Sequence, residues 1–207
     1  MIKSYEHCAL ECADTWFAKE EAFVAGLASK DVSNRLAALC RAAGHFKIAR
    51  NFPKEYDVDR GLERLEPVLQ ILDDPGVREV TAENLADTVR LVRRELAAVY
   101  DRDLLSAATK LLWLRHQNVS IIFDKQARVA LGTPKGDYEG YLTRWRDRYQ
   151  ADLPEIKGAS LSVCATNHTA TNLTKVCDSD IRAIVGRAWF HMRVLDIRLW
   201  YEGNGAS

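Results

Sequence analysis

Residues 104–131, LLSAATKLLWLRHQNVSIIFDKQARVAL, decide the predicted fold of this chain. Residues 104–115 are strongly apolar, which predicts a central helix. Residues 118–123 predict a short connector, and Asp124 predicts the start of a further helix that Gly132 brings to an end. The stretch therefore predicts two helices joined by an irregular connector, with an aspartate at the head of the second helix.

Helical periodicity extends outward from this stretch along most of the chain. The clearest case is an amphipathic helix over residues 85–99, for which Thr81 is the predicted cap. Another helix, capped by Asp31 or Ser33, is predicted to run toward Arg50. Further helices are predicted over residues 5–30, 58–72, 137–150 and 178–201.

The polar residues 158–174 interrupt this pattern. Ser, Thr and Asn dominate the segment, which predicts an exposed loop, and its length makes it a candidate functional segment. No part of the chain predicts a convincing strand, and no internal repeat is visible. The predicted fold is therefore all-α, a compact bundle of about seven or eight helices.

Length and composition favour one soluble domain. The 207 residues are 47% hydrophobic and 28% charged, enough to bury a substantial core. A single α-helical domain over 1–207 is expected, with 1–100 and 101–207 as a subdivision. No run approaches the roughly 18–20 apolar residues that a membrane span needs, and the N-terminus lacks the apolar core of a signal peptide. We therefore expect a cytoplasmic protein with no membrane partner, and the oligomeric state stays open.

Charge and cysteine content limit the function classes. The 29 basic and 29 acidic residues cancel, so any nucleic-acid binding must come from a local patch. The five cysteines are widely spaced, and no second close pair or histidine pair completes a zinc site. Reduced, mostly buried thiols are expected, and neither a metal nor a cofactor is predicted.

The quoted stretch carries a resemblance to a known family. Ala108 lies 16 residues before Asp124 (124 − 108), and Phe123-Asp124-Lys125 forms an apolar-Asp-polar step. With the aromatic and basic segments 138–149 and 189–200, this pattern resembles the helix-hairpin-helix base-excision DNA glycosylases in a divergent form. The resemblance implies a helix-hairpin-helix glycosylase-like fold, duplex DNA as partner and Asp124 as catalytic carboxylate.

The chain departs from the family pattern at three points. The family hairpin usually reads Leu-Pro-Gly-X-Gly, whereas residues 101–105 read DRDLL and contain no glycine. The Schiff-base lysine of bifunctional members would fall near Ser106, and Lys110 lies one turn further along. No cysteine cluster for an iron–sulfur centre follows. The resemblance therefore implies monofunctional hydrolysis without strand cleavage.

Asp124 has two compatible roles. A glycosylase extrudes its target nucleotide from the base stack, and cleavage of the glycosidic bond develops positive charge on the sugar. A fixed carboxylate would stabilise that charge and orient the attacking water. Alternatively, Asp124 is only an N-cap that accepts a hydrogen bond from the amide of Gln126 or Ala127.

Further residues are candidates for DNA contact, each with a structural alternative. Arg144, Arg146 and Arg148 form the densest basic run, but steps of two scatter them around a helix, so at most two would face one ligand. Basic residues at a helix end also suit the helix dipole, and tryptophans usually belong to a core. The other candidates are Lys110, Arg115, His116, Lys125 and Arg128 for DNA, and Trp113 and Trp145 for the base pocket.

The residues leave other hypotheses open. No residue identifies the substrate base. The candidates are damaged or modified bases, including those of invading phage DNA. Arg187 and His191 suggest instead a helical ribonuclease that pairs an arginine with a histidine, although their gap is shorter than that family's. A third hypothesis is a non-catalytic interaction module that kept a glycosylase-like fold.

Overall fold

The computed structural model describes residues 2–53, 62–166 and 169–205, and every regular element in these ranges is helical. The all-α prediction is confirmed for them. A π-helical turn occupies Trp16–Glu20, and 3-10 turns occupy Ala49–Asn51 and Leu173–Lys175. The α-helices are α1 (Tyr5–Thr15), α2 (Glu21–Leu27), α3 (Val32–His45), α4 (Glu66–Asp73), α5 (Pro75–Arg78), α6 (Leu85–Tyr100), α7 (Leu105–Arg115), α8 (Lys125–Ala130), α9 (Tyr138–Thr166), α10 (Asp178–Val185) and α11 (Ala188–Gly205).

Aspartates set the starts of several helices, because a short carboxylate satisfies amides that the first turn leaves without partners. Asp31 caps α3 by accepting a hydrogen bond from the Asn34 amide at 3.0 Å. Asp137 accepts from the Gly140 amide at 2.9 Å, just before α9. Of the two caps predicted for the second helix, the structure uses Asp31.

The chain divides into two compact units, and the first comprises Met1–Lys19 and Phe123–Ser207. In this unit α9 packs against α1, α10 and α11, and α11 also packs against α1 and α8. Apolar and aromatic side chains fill the interior and drive its formation. The large side chains buried here include Tyr5, Tyr141, Trp145, Phe190 and Leu199.

The second unit comprises Glu20–Ile122. Here α2 packs against α3 and α7, and α6 packs against α4 and α7. The amphipathic pattern of α6 is confirmed as far as Leu96, since Leu85, Val89, Val92 and Leu96 are buried, but Val99 is 48% exposed. The boundaries of the units differ from the expected subdivision at residue 100, because α1 packs with the C-terminal half of the chain. That the chain forms a single domain stays a prediction.

The predicted loop at 158–174 is wrong over its first half. Helix α9 continues to Thr166, because Ile156, Ala159 and Val163 recur at helical spacing and are buried. Polar side chains in this segment also bond within the helix: the Ser160 hydroxyl donates to the Ile156 carbonyl at 2.8 Å. Tertiary burial therefore outweighs a composition that is typical of loops.

The described residues hold more α-helical segments than the seven or eight predicted, since two predicted helices are interrupted and the short α5 lies where none was predicted. The segment 5–30 contains the π-helical turn, and 178–201 is divided after Val185. Two bounds were also wrong. Thr81 and Asn84 exchange hydrogen bonds in a turn, and the helix begins only at Leu85. The helix predicted toward Arg50 ends at His45.

Part of the predicted helix 58–72 lies outside the described residues, and its described part includes α4. No helix in the described ranges combines the length and apolar character needed to cross a bilayer. All five cysteines are free thiols, and Cys8 and Cys12 are buried. Burial raises the pKa of the Cys8 thiol to about 12, which disfavours its thiolate form.

Candidate functional site

Asp124 lies immediately before α8 in an extended conformation, with φ −114° and ψ 149°. Its Oδ1 accepts a hydrogen bond from the Gln126 amide at 2.9 Å, which confirms the predicted N-cap. The residue is half-buried. The cap therefore holds the carboxylate in a defined orientation.

Both ends of α8 are fixed within the first unit. At its start, Gly203 of α11 lies so close to the Gln126 backbone that a methyl group there would overlap the Gln126 carbonyl. The Gln126 side-chain amide also donates to Asn204 Oδ1 at 3.3 Å. At its end, Arg144 donates to the carbonyls of Leu131 and Gly132 at 2.8 and 3.0 Å. These contacts hold the helix on which the Asp124 cap depends.

Gly132 has a φ of +61°, the left-handed conformation that favours glycine. This confirms Gly132 as the residue that stops α8.

A second aspartate, which sequence reasoning missed, lies in the same unit. Asp196 of α11 is 7% exposed and accepts a hydrogen bond from Trp145 Nε1 at 2.8 Å. Burial raises the pKa of Tyr141 well above its ordinary value, and the negative charges of Asp196 and Asp124 raise it further. The signal in the sequence was an acid inside an apolar run, VLDI, because a buried acid needs a partner.

Both carboxylates act on neighbouring tyrosines. They act on the same tyrosine, and Asp196 also raises the pKa of Tyr138, after the larger effect of burial. The positive charge of Arg146 opposes the effect of Asp196 on Tyr138.

The predicted basic residues of this unit have separate roles. Arg144 holds the end of α8, and Arg128 Nη1 donates to the Thr133 carbonyl at 2.7 Å. Arg148 pairs with Asp152 and Glu202, so it belongs to an internal ionic network. Lys125 and Arg146 have exposed side chains. The spacing of Arg144, Arg146 and Arg148 predicted that they would not share one face, and the structure agrees.

Both predicted base-pocket tryptophans are 1% exposed. Trp145 stacks on Tyr149 with ring centroids 5.1 Å apart, and Trp113 meets the Phe46 ring edge-on at 5.8 Å. These positions are typical of core residues and give the base-pocket assignment no support.

In the second unit, the predicted residues at the end of α7 are all engaged by neighbours. Lys110 Nζ lies 3.4 Å from the Phe46 carbonyl, and Arg115 Nη1 donates to Asp73 Oδ1 at 2.8 Å. His116 Nε2 lies 2.8 Å from the Val77 carbonyl. Burial lowers the pKa of His116, an effect that outweighs the opposing hydrogen bond. His116 is therefore poorly suited to binding an anion as a cation at neutral pH.

The hairpin between α6 and α7 takes a left-handed turn without glycine. Asp101 has a φ of +51°, and aspartate is one of the few residues that tolerate this region. Arg93 forms a two-pronged ion pair with Asp103 at 2.6 and 2.7 Å, which neutralises one acid of the hairpin. No side-chain hydrogen bond caps the N-terminus of α7.

The arginine–histidine pair of the ribonuclease hypothesis is not assembled as a site. His191 is 6% exposed, and its Nε2 lies 2.9 Å from the Val185 carbonyl. Arg187 is exposed, and its Nε donates to the Ala183 carbonyl. These partners account for both side chains structurally.

No three His, Cys, Asp or Glu side chains within residues 2–53, 62–166 and 169–205 form a group that could hold a metal ion. Comparison with protein-family models, curated proteins and solved structures finds no match to this chain.

Proposed function

We propose that this protein is a monofunctional DNA glycosylase-like enzyme that hydrolyses the N-glycosidic bond of a damaged or modified base. The observation that carries the proposal is the placement of Asp124. Its half-buried carboxylate stands at the head of a helix fixed at both ends, with Oδ1 held by the Gln126 amide. Rigid placement of this kind is what electrostatic stabilisation of a transition state requires.

The chemistry uses a negative charge beside a sugar that becomes positive. As the bond between C1′ and the base nitrogen breaks, the bond's electrons leave with the base and positive charge develops at the sugar. Asp124 stabilises that charge and orients a water, whose oxygen then bonds to C1′. Its proton is lost and the departing base gains one.

The helix pair that precedes Asp124 in the chain supports a helix-hairpin-helix fold. Helices α6 and α7 pack against each other and are joined by a hairpin of four residues, 101–104. Within this hairpin, Asp101 adopts the left-handed conformation. The first amides of α7 have no side-chain cap, and amides at a helix start suit a DNA phosphate.

The absence of a Schiff-base lysine supports hydrolysis rather than strand cleavage. Ser106 stands where the family's lysine would fall, and the Lys110 ammonium lies against the Phe46 carbonyl. Lys125 and Arg146, whose side chains are exposed, are the proposed contacts to DNA phosphates.

The test compares two aspartates that cap helices in the same unit. Asp124→Asn removes the charge but keeps a side chain that caps as well as aspartate does. Asp137→Asn makes the same change at the start of α9 and is the matched control. Duplexes that carry damaged bases, and others with modified phage-type bases, are incubated with each protein and then treated with alkali to reveal abasic sites.

We expect Asp124→Asn to lower the rate of abasic-site formation about 100-fold or more, while Asp137→Asn matches the unaltered protein. Strand breaks should appear only after alkali. Equal rates for the two variants would show that Asp124 is a cap without a catalytic role. Binding to all duplexes with no abasic sites from any of them would favour the non-catalytic module instead.

A further inference from the structure

The second unit contains a cavity of about 450 Å³ that the proposed glycosylase reaction does not use. Helices α2, α3 and α7 contribute to its walls, together with the ends of α4 and α5. Part of the lining is apolar and includes Leu27 and Leu114. Its charged lining consists of Arg35, Arg78, Arg115 and Asp73.

The three arginines converge on one aspartate. Asp73 Oδ1 accepts from Arg35 Nη2 at 2.6 Å and from Arg115 Nη1 at 2.8 Å. Arg78 Nε donates to the main-chain carbonyl of Asp73 at 2.7 Å. Three positive charges and one negative charge leave a net charge of +2 on the charged residues that line the cavity (3 − 1).

This surplus is unfavourable unless an anion offsets it. The side chains of Arg35 and Arg115 are only 15% and 23% exposed, so water screens their mutual repulsion poorly. A planar guanidinium can donate two parallel hydrogen bonds to a phosphate, which makes arginine well suited to phosphate esters. A phosphate monoester carries a charge close to −2 at neutral pH, which matches the surplus.

The apolar lining narrows the class of phosphate ester. A cavity of this volume lies within the range of about 300–1,000 Å³ that small-molecule sites occupy. A sugar phosphate that lacks a base would place unpaired hydroxyl groups against Leu27 and Leu114, at a desolvation cost. A flat heteroaromatic base would instead gain apolar contact there.

We propose that this cavity binds a nucleoside 5′-monophosphate, with the phosphate on the three arginines and the base against the apolar side. Either a free mononucleotide or the 5′-phosphorylated end of a DNA strand presents this chemistry. The site is independent of the Asp124 reaction, because it lies wholly within the second unit.

Calorimetric titration of the full chain tests the site with deoxyadenosine monophosphate, deoxyadenosine and inorganic phosphate. Arg78→Gln is the first variant, because Arg78 is exposed and leaves the ion pairs of Asp73 in place. Arg115→Gln is the second, since Arg35 still pairs with Asp73. Arg94→Gln is the matched control: Arg94 is an exposed arginine of the same unit, paired with Glu95.

We expect the monophosphate to bind and both cavity variants to weaken it about tenfold or more. Arg94→Gln and Asp124→Asn should leave the affinity for the monophosphate unchanged. Failure of this proposal can therefore be distinguished from failure of the glycosylase proposal. Equal affinity for deoxyadenosine, equal affinity for inorganic phosphate, or no effect of either cavity variant would overturn the inference. Absence of monophosphate binding would overturn it as well.

A competition experiment separates the two sources of the ligand. Oligonucleotides with a 5′-phosphate or a 5′-hydroxyl are added to the protein with bound monophosphate. Displacement by the 5′-phosphorylated strand alone supports a strand end as the natural ligand. Displacement by neither strand supports a free mononucleotide. Equal displacement by both strands would contradict recognition of a terminal phosphate.

Discussion

The two units differ in how well their charged side chains are balanced. In the first unit, Arg148 pairs with Asp152 and Glu202, and Arg198 also pairs with Glu202, so two positive charges meet two negative ones. In the second, three arginines converge on Asp73 beside a cavity. A balanced network needs nothing from outside the protein, whereas surplus positive charge beside open space indicates a site for an anion.

The two units also differ in how tightly their helices are packed. In the first, the backbone of Gly203 comes so close to the backbone of Gln126 that no side chain fits between them. In the second, a cavity of about 450 Å³ stays open between helices. We therefore interpret the packing around Gln126 as a means of positioning Asp124, and the cavity as a means of binding a ligand.

The largest effect on stability is expected for Gly203→Ala. The added methyl group meets backbone atoms of Gln126, which cannot rotate away, so α8 must shift. We expect the free energy of unfolding, measured by urea denaturation, to fall by about 3 kcal/mol. If Asp124 is catalytic, the folded variant should also lose turnover more than affinity for DNA, because the carboxylate moves away from the sugar.

Gly158→Ala provides the matched control for this change. Gly158 lies inside α9 with no atom within 4 Å of the position of an added methyl group. Alanine has the higher helix propensity, so this variant should gain about 0.5–1 kcal/mol. Equal effects of the two substitutions would mean that the close approach at Gly203 does not determine the position of α8.

A smaller effect tests the balanced network. Arg148→Met removes the cation between Asp152 and Glu202, whose side chains are 20% and 15% exposed. Asp152 loses this ion pair, while Glu202 keeps its ion pair with Arg198. We expect the free energy of unfolding to fall by about 2 kcal/mol, a value between those of exposed and buried pairs. The urea midpoint at pH 7 measures this loss, and an unchanged midpoint would show that the network is solvated.

The matching change in the other unit should cost less. Arg115→Met removes one of three cations, and Asp73 keeps its ion pair with Arg35. Because relief of repulsion offsets the lost ion pair, we expect the free energy of unfolding to change by no more than about 0.5 kcal/mol. A loss as large as that of Arg148→Met would show that the arginines of the cavity serve stability.

Local features of this chain were predictable from its sequence. The Asp124 cap and the Gly132 stop involve residues a few positions apart, so their chemistry is visible in the sequence itself. The end of α9 was not visible, because its Ser- and Thr-rich turns are helical through the burial of Ile156 and Val163. Local composition cannot register burial that depends on the rest of the fold.

Contacts between distant residues were the part that could not be predicted. Trp145 and Asp196 are 51 positions apart, and nothing in either segment identifies the other as its partner. The arginines of the cavity come from helices spread across residues 35–115, and Arg78 lies between the predicted helices 58–72 and 85–99. Only the tertiary packing of α3, α5 and α7 within the second unit brings these charges together.

The smallest expected effect compares one histidine in each unit, the half-buried His116 and the buried His191. Burial lowers the pKa of both His116 and His191 below the ordinary value of 6.5, and a main-chain carbonyl is a hydrogen-bond partner of each. Below pH 6.5 the unfolded chain therefore binds protons that the folded protein resists, so stability falls as the pH is lowered. Above pH 6.5 the two states are equally neutral at these positions, and the effect vanishes.

Urea denaturation at pH 7.5 and 5.5 measures this dependence. His191→Gln and His116→Gln keep a side chain that can donate to the same carbonyl but cannot gain a proton in this range. The decline in stability from pH 7.5 to 5.5 should be smaller in each variant than in the unaltered protein, and smaller still in the double variant. Because Arg115 and Lys157 also disfavour the charged forms of His116 and His191 respectively, Arg115→Met should reduce the decline that His116 causes. If the double variant showed an unchanged decline, the pH dependence of stability would come from the carboxylates and not from the two histidines.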